Sequence, residues 1–279
     1  MLAIAADIPE LGIAISSALN GVSEVSVGDL IGANFTDVAL VIGFTLLLSR
    51  QKIHIDIRDR EKILRMLLIT ALVLVAVFAI GTLTRIHGLI LIGIYAAAIT
   101  WLWKRREAHD ILHQEVDSIQ HDVAATKDVV LTSVAGMIIK LCASLGLVMV
   151  ASSITVHYAM CIATDLCLPL ETVGATILGV GTSLPELCLS LNALRRGQHA
   201  LAIGPTLGTV LGQTTLILGI LATLSHKPVQ MSGLRGAALF MFAAFGIVCY
   251  GLTKDKRMGR GMGAALLALF VAYMVYQIH

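Results

Sequence analysis

One short pattern occurs twice in the chain, with an offset of 176 residues. Pro9-Glu10 in the first half matches Pro185-Glu186 in the second. Such a duplication is typical of membrane transporters that are built from two structural repeats. Four glycines after each pair match at the same offset without a gap: Gly21, Gly28, Gly32 and Gly43 match Gly197, Gly204, Gly208 and Gly219.

The composition places this duplicated chain in a lipid bilayer. Hydrophobic residues make up 57% of the 279 residues and charged residues only 14%, with a mean hydropathy of +0.87. A water-soluble domain needs more polar side chains than this to cover its surface. We therefore predict an integral membrane protein whose surroundings are lipid and which does not bind nucleic acid. The sequence does not indicate an oligomeric state.

Nine apolar stretches follow one another along the chain. Most of them are near the about 20 residues that a helix needs to cross the hydrocarbon core. We predict an all-α integral membrane protein with about nine membrane segments. The stretches are 2–19, 25–48, 64–83, 86–103, 129–156, 168–194, 200–224, 236–252 and 261–278.

The basic residues fall almost entirely in alternate connections. The connections after the second, fourth, sixth and eighth stretches hold 16 of the 20 Lys and Arg residues. Lys and Arg are enriched in cytoplasmic loops, so these connections are predicted to be cytoplasmic. The turn at 20–24 then lies outside, whereas its partner turn at 195–199 lies inside. The two repeats therefore have inverted topology, and the bacterial inner (plasma) membrane is the expected location.

The inverted halves define the predicted organisation of the chain. Residues 1–103 form a first transmembrane repeat, 104–127 a cytoplasmic linker and 128–279 a second transmembrane repeat. At the same offset, the stretch 129–156 and the start of the next have no partner in the first repeat. We expect either that Met1 is not the true start or that the first repeat is shortened by one helix and half of another.

Each repeat carries a glutamate directly after a proline inside an apolar stretch. Proline removes an amide donor and clashes with the preceding turn, so Pro9 and Pro185 are expected to interrupt their helices. A charge at the centre of a membrane helix costs about 2.5 to 3.5 kcal/mol on insertion scales. We therefore expect Glu10 and Glu186 to bind a cation or a proton.

Further polar residues are predicted to join the two glutamates. Asp37 and Gln213 occupy equivalent places, one helical turn beyond Ala33 and Thr209, respectively. If the halves meet, oxygen ligands with up to three carboxylates would suit a hard cation such as calcium, and sodium or protons could share the site. A purely structural interpretation, in which these side chains hydrogen-bond between helices, stays open. The candidate ligands are Glu10, Asp37, Glu186, Gln213, Thr182, Ser183 and Thr209.

These motifs resemble the two signature repeats of the sodium/calcium exchanger superfamily, the cation/calcium antiporters. Gly181-Thr182-Ser183-Leu184-Pro185-Glu186-Leu187 with the later Gly204 and Gly208 resembles the second signature; Ile8-Pro9-Glu10-Leu11 with 28–34 resembles the first. The resemblance implies the ten-helix fold of that family and alternating-access exchange of calcium against sodium or protons. It implies that Glu10 and Glu186 are the central carboxylates, with Asp37, Gln213, Thr182, Ser183 and Thr209 as accompanying ligands.

The chain also departs from the family pattern, which leaves the choice of ion open. It has Ala5-Ala6-Asp7 where the first signature usually has Gly-Thr-Ser, and Ala33 where it has a Ser ligand. Val210 replaces an Asn, and Pro205 stands where an Asn or Asp is usual. Asp7 lies three residues before Glu10, so it either adds a carboxylate or lies in water near the start of the chain.

We predict a secondary active antiporter, not an enzyme, that exchanges calcium or a related cation for sodium or protons. Calcium and monovalent cations are then its substrates, and no cofactor is expected. One alternative is a shortened homologue that does not transport or depends on a partner chain. A minor alternative is an intramembrane enzyme that uses Asp7 or Asp37 with a glutamate, although no nucleophile motif supports it.

Overall fold

The computed structural model describes residues 7–49, 53–54, 57–104, 134–198, 202–254 and 257–278. The predicted linker at 104–127 lies outside these residues except for Lys104. The helices are α1 (Ile8–Asn20), α2 (Ser23–Leu48), α3 (Ile57–Ile80), α4 (Arg85–Lys104), α5 (Val134–Asp165), α6 (Leu170–Arg195), α7 (Gly204–Leu224), α8 (Arg235–Lys254) and α9 (Arg260–Ile278). Four two-residue strands complete the fold: β1 (Ile53–His54), β2 (Thr82–Leu83), β3 (Val229–Gln230) and β4 (Arg257–Met258).

The nine helices of the described part match the nine apolar stretches of the sequence one for one. Seven of these helices are long and apolar enough to cross a membrane. The other two are α1, with 13 residues, and α4, whose apolar part is the shorter Arg85–Trp101. In lipid the backbone polar groups must be satisfied within the segment, which is why these apolar runs form helices. The prediction of an all-α integral membrane protein is confirmed.

α5 continues to Asp165, beyond the predicted end at Val156. Hydropathy marks the part of a helix that lies in lipid and does not mark where the helix ends. The chain turns only at Cys167, which has a left-handed backbone (φ 53) and whose amide returns to the Thr164 carbonyl. Pro169 lies directly before α6, and it cannot continue the preceding helix α5.

The two halves repeat each other in detail at the offset of 176 residues. Gly21 follows α1 and Gly197 follows α6, and both adopt the left-handed backbone, with φ of 71° and 72°. A residue with a Cβ resists this conformation, so glycine closes both helices. The folded-back hydrogen bonds are also equivalent: Val22 donates to the Ser17 carbonyl and Gln198 to the Ala193 carbonyl, each at 2.9 Å.

Short strands join the two halves at both ends of the molecule. β1 pairs antiparallel with β4 on the predicted cytoplasmic side, and β2 pairs antiparallel with β3 on the other side. At the repeat offset, β1 is equivalent to β3. Each strand of one half therefore pairs with a strand of the other half, as expected for two repeats of inverted topology.

α2 lies at the centre of the fold and packs closely against α6. Almost every residue of Ser23–Thr36 is buried. The two helices approach through glycines, because a Cβ at Gly28 would collide with the carbonyl of Glu171, and one at Gly32 with the carbonyl of Ala175. Small residues allow membrane helices to approach to backbone contact. This approach brings the polar segments of both halves together.

Candidate cation site

Two helices widen into a π-helical segment at equivalent positions. The segment in α2 begins at Asp37, and the segment in α7 begins at Gln213. These are the two residues that the repeat offset pairs in the sequence, and both are fully buried. π-helical segments occur frequently at functional sites. A third such segment, Gly174–Leu178, lies in α6.

The two prolines lie in equivalent first turns. α6 is interrupted at Ser183, and Pro185 lies in the first turn of the helix that restarts at Leu184, which confirms the predicted interruption there. Pro9 likewise lies in the first turn of α1. Glu10 and Glu186 therefore both lie in the first turn of a helix, where the positive end of the helix dipole favours a negative charge.

Both glutamates are buried without a counter-charge from the described residues. Their exposed fractions are 0% for Glu10 and 3% for Glu186. None of their four carboxylate oxygens accepts a hydrogen bond from a residue that the structure describes. Glu186 also lies close enough to repel Glu10 electrostatically. Burying unpaired carboxylates is costly, so this arrangement favours a bound cation.

The Asp37 carboxylate belongs to the first repeat and lies near polar residues of the second repeat. Its Oδ2 atom accepts a hydrogen bond from the Thr209 hydroxyl at 3.4 Å, and its Oδ1 atom has no described partner. The Ser183 hydroxyl lies close to the Asp37 carboxylate. It donates a hydrogen bond to the Ala33 carbonyl at 3.4 Å. Asp37 also lies within electrostatic range of Glu186. The structure thus brings together predicted residues from α2, α6 and α7.

Gln213 lies in the same region and contacts Asp7. Its Nε2 atom donates to Asp7 Oδ1 at 3.1 Å, and its own Oε1 atom is buried without a described partner. Asp7 is 6% exposed and lies within electrostatic range of Glu186. Of the two possibilities that the sequence leaves for Asp7, the structure therefore selects the additional buried carboxylate.

Thr182 contacts Asp29, a carboxylate that the predicted ligand set does not include. The Thr182 hydroxyl donates to Asp29 Oδ1 at 3.1 Å. Asp29 is fully buried, its Oδ2 atom has no described partner, and it lies close enough to repel Glu10. The signal was present in the sequence, since Asp29 follows the repeated Gly28. Its equivalent is Pro205, however, so a search for polar pairs at the repeat offset misses it.

Carboxylates alone do not form a closed metal cage in the described part of the chain. No three Asp, Glu, His or Cys side chains among these residues lie in an arrangement that could hold a metal ion. A cation bound between Glu10 and Glu186 would therefore also need neutral oxygens, such as those of Gln213, Thr209 and Ser183. Calcium accepts such a mixed set of oxygen ligands. The assignment of individual ligands stays a prediction.

Inverted repeats around a buried group of carboxylates, which have no counter-charge among the described residues, define a membrane transporter of the secondary type. The sodium/calcium exchanger protein family matches this chain over residues 1–104 and 137–279. The chain belongs to the sodium/calcium exchanger family, which confirms the resemblance of its two signatures. Members of this family are transporters, so the chain is a cation/calcium antiporter by class and not an enzyme.

Individual relatives match almost the whole chain. The inner membrane protein YrbG of Escherichia coli (strain K12) is 25% identical, over 98% of this chain and 83% of that protein. The putative antiporter CaxA of Alkalimonas amylolytica is 26% identical, over 98% of this chain and 84% of that protein. The sodium/calcium exchanger MaX1 of Methanosarcina acetivorans is 24% identical, over 99% of this chain and 86% of that protein. The matches to YrbG and CaxA confirm the predicted integral protein of the inner (plasma) membrane.

A solved structure confirms the fold. The sodium-calcium exchanger NCX_Mj, soaked with 10 mM Na⁺ and 10 mM Sr²⁺, superposes with a TM-score of 0.66 at 22% sequence identity. The superposition covers 98% of this chain and 84% of that one. The helices described here therefore have the arrangement of a known exchanger.

Proposed function

We propose that this chain exchanges calcium, or a related cation, for sodium or protons by alternating access. The observation that carries the proposal is the pair Glu10 and Glu186, which occupy equivalent positions of two inverted repeats. All four of their carboxylate oxygens are buried without a described hydrogen-bond partner. Membership of the sodium/calcium exchanger family supports this class of substrate.

Charge balance favours exchange over one-way passage of an ion. With no cation bound, the buried carboxylates repel each other in surroundings of low dielectric constant, where charges interact strongly. Moving this uncompensated charge past the lipid is costly. A site filled with calcium, or with monovalent cations or protons in its place, avoids that cost. The site therefore reorients when it is filled, and calcium moves one way as the other cation moves back.

The proposed ligands come from both repeats, for which we propose the bounds 1–103 and 128–279. The carboxylates of Glu10, Asp37 and Glu186 supply the negative charge. Neutral oxygens complete the set, and they come from Gln213, Thr182, Ser183 and Thr209. Glu10 and Asp37 lie in the first repeat, and the other proposed ligands lie in the second. Because the two repeats have opposite topology, a rocking movement of one against the other would open the site alternately to each side.

Uptake of calcium-45 into proteoliposomes tests this proposal. Vesicles that contain the wild-type protein are loaded with sodium or given a proton gradient, and we expect one of these gradients to drive uptake. Glu186→Gln should abolish uptake, because it removes a central charge. Glu61→Gln is the matched control, since this exposed residue pairs with Arg65 at the surface, where an ion pair contributes little to stability. The control should transport like the wild type.

The same assay can contradict the proposal. If the wild-type protein takes up no calcium under either gradient, the chain by itself does not exchange calcium for sodium or protons. That result would favour the alternative of a homologue that does not transport or that depends on a partner chain. Equal uptake by the wild type and Glu186→Gln would show that Glu186 is not in the transport site.

A further inference from the structure

The two halves of the site are equivalent in position but not in chemistry. At the repeat offset, Asp7 is equivalent to Ser183 and Gln213 is equivalent to Asp37. In one half-site, the Asp37 carboxylate lies near the Ser183 hydroxyl. In the other half-site, the Gln213 amide donates to the Asp7 carboxylate at 3.1 Å. Each half-site therefore holds one of these two carboxylates. In the first half-site it is at the position equivalent to Gln213, and in the second it is at the position equivalent to Ser183.

We propose that Asp7 is a further residue of the cation site, with two roles. It supplies the carboxylate that position 213 lacks, and it holds the Gln213 amide so that the Oε1 atom is available to the cation. The inference rests on the proposed function, because it assigns a residue to the same transport site.

The orientation of the Gln213 side chain follows from hydrogen bonding. An ionised carboxylate only accepts hydrogen bonds, whereas an amide has a donating nitrogen and an accepting oxygen. In its ionised form Asp7 can therefore hold Gln213 only by the Nε2 atom, because a reversed amide would place two acceptors against each other. The Oε1 atom is left buried and without a described partner. A cation would give it one.

The surroundings of Asp7 also favour a role in the site. Asp7 is 6% exposed and lies within electrostatic range of Glu186. Its Oδ2 atom lies against Gly212 in α7, where an added Cβ would be 2.9 Å away. The absence of a side chain at this position leaves room for the carboxylate beside the helix that carries Gln213. Asp7 is thus part of the buried centre and not of a solvated chain end.

An exchange of the two residues tests the proposal. We expect Asp7→Ser alone to raise the calcium concentration for half-maximal uptake by about tenfold, because it removes a charge and releases the amide. Gln213→Asp alone should also impair uptake, since it places two carboxylates side by side. The double variant would carry the same residue types as Ser183 and Asp37, so it should return to within about threefold of the wild type.

Gly212→Ala gives a second test that leaves every charge in place. The added Cβ should displace the Asp7 carboxylate and raise the half-maximal calcium concentration. Its matched control is Gly93→Ala in α4, where no atom lies within 4 Å of the added Cβ. This control should behave like the wild type. Because the displaced group is the end of one side chain, the fold should survive the substitution.

The outcomes separate this inference from the proposed function. Absence of calcium uptake by the wild-type protein would overturn both. An active wild type with unchanged calcium dependence in Asp7→Ser would overturn the inference alone. So would a double variant that is as impaired as either single variant, since a purely structural role of Asp7 would not be restored by Gln213→Asp. Recovery in the double variant is the result expected if a carboxylate at position 213 can replace the one at position 7.

Discussion

Replacing Gly32 with alanine would test how closely α2 and α6 must approach to form the site. A Cβ at this position would lie 2.5 Å from the Cα atom of Ala175. Two carbon atoms in ordinary contact are about 3.5 Å apart, so the helices would have to separate by roughly 1 Å. The obstacle is backbone, and no change of side-chain rotamer would remove it.

The expected losses follow from this separation. Overpacking of this kind costs about 1 to 3 kcal/mol, and each kcal/mol lowers the unfolding temperature of a chain this long by about 2 to 4 °C. The Thr182 hydroxyl now lies 3.1 Å from Asp29, and the Ser183 hydroxyl lies 3.4 Å from the Ala33 carbonyl. A further shift of about 1 Å would break both hydrogen bonds. We therefore expect Gly32→Ala to bind calcium more weakly as well.

Thermal unfolding of the purified protein in detergent, with and without calcium, measures both effects. Gly93→Ala is again the matched control, because it makes the same substitution in open space. Alanine is the better helix former by about 1 kcal/mol, so the control should unfold at the same temperature as the wild type or higher. If Gly32→Ala unfolds no lower than the wild type and is stabilised equally by calcium, the close contact between α2 and α6 is refuted.

Three further substitutions give distinct expected results. Gly197→Ala places a Cβ in the left-handed backbone, so it should lower the free energy of unfolding by about 1 to 2 kcal/mol; an unchanged unfolding temperature would speak against that conformation. Asp29→Asn keeps an acceptor for Thr182 but removes a charge near Glu10. It should raise the half-maximal calcium concentration for uptake by roughly tenfold, and unaltered uptake would place Asp29 outside the site. Tyr273→Phe removes the hydroxyl that donates to a backbone carbonyl of α6 at 3.2 Å. It should lower the free energy of unfolding by about 1 to 2 kcal/mol in denaturation measurements, and an unchanged value would contradict that hydrogen bond.

The duplication explains why much of the fold could be predicted from the sequence. Apolar runs of sufficient length must form helices in lipid, and the constant offset shows which places are equivalent. Gly21 and Gly197 close equivalent helices, and Asp37 and Gln213 begin equivalent π-helical segments. The two strand pairs were not predicted, because two residues are too few to show an alternating pattern.

The candidate site could be predicted only in part. Glu10, Glu186 and Asp37 are recognisable because carboxylates are costly in a membrane helix. Asp29 was missed for two reasons. Its equivalent residue is not polar, and α2 is buried on nearly all sides, so no single face of that helix indicates the site. The role of Asp7 depends on a contact with Gln213 across 206 positions of sequence, which the sequence pattern alone does not reveal.

Equilibrium binding of calcium-45 to the purified protein tests most directly whether the two repeats share one cation site. A shared site predicts that Glu10→Gln and Glu186→Gln each abolish the calcium binding of the wild type, and that the double variant is no worse than either single one. Two independent sites predict a different result. If each single variant kept about half of the bound calcium and only the double variant lost it all, a site shared between the inverted repeats would be contradicted.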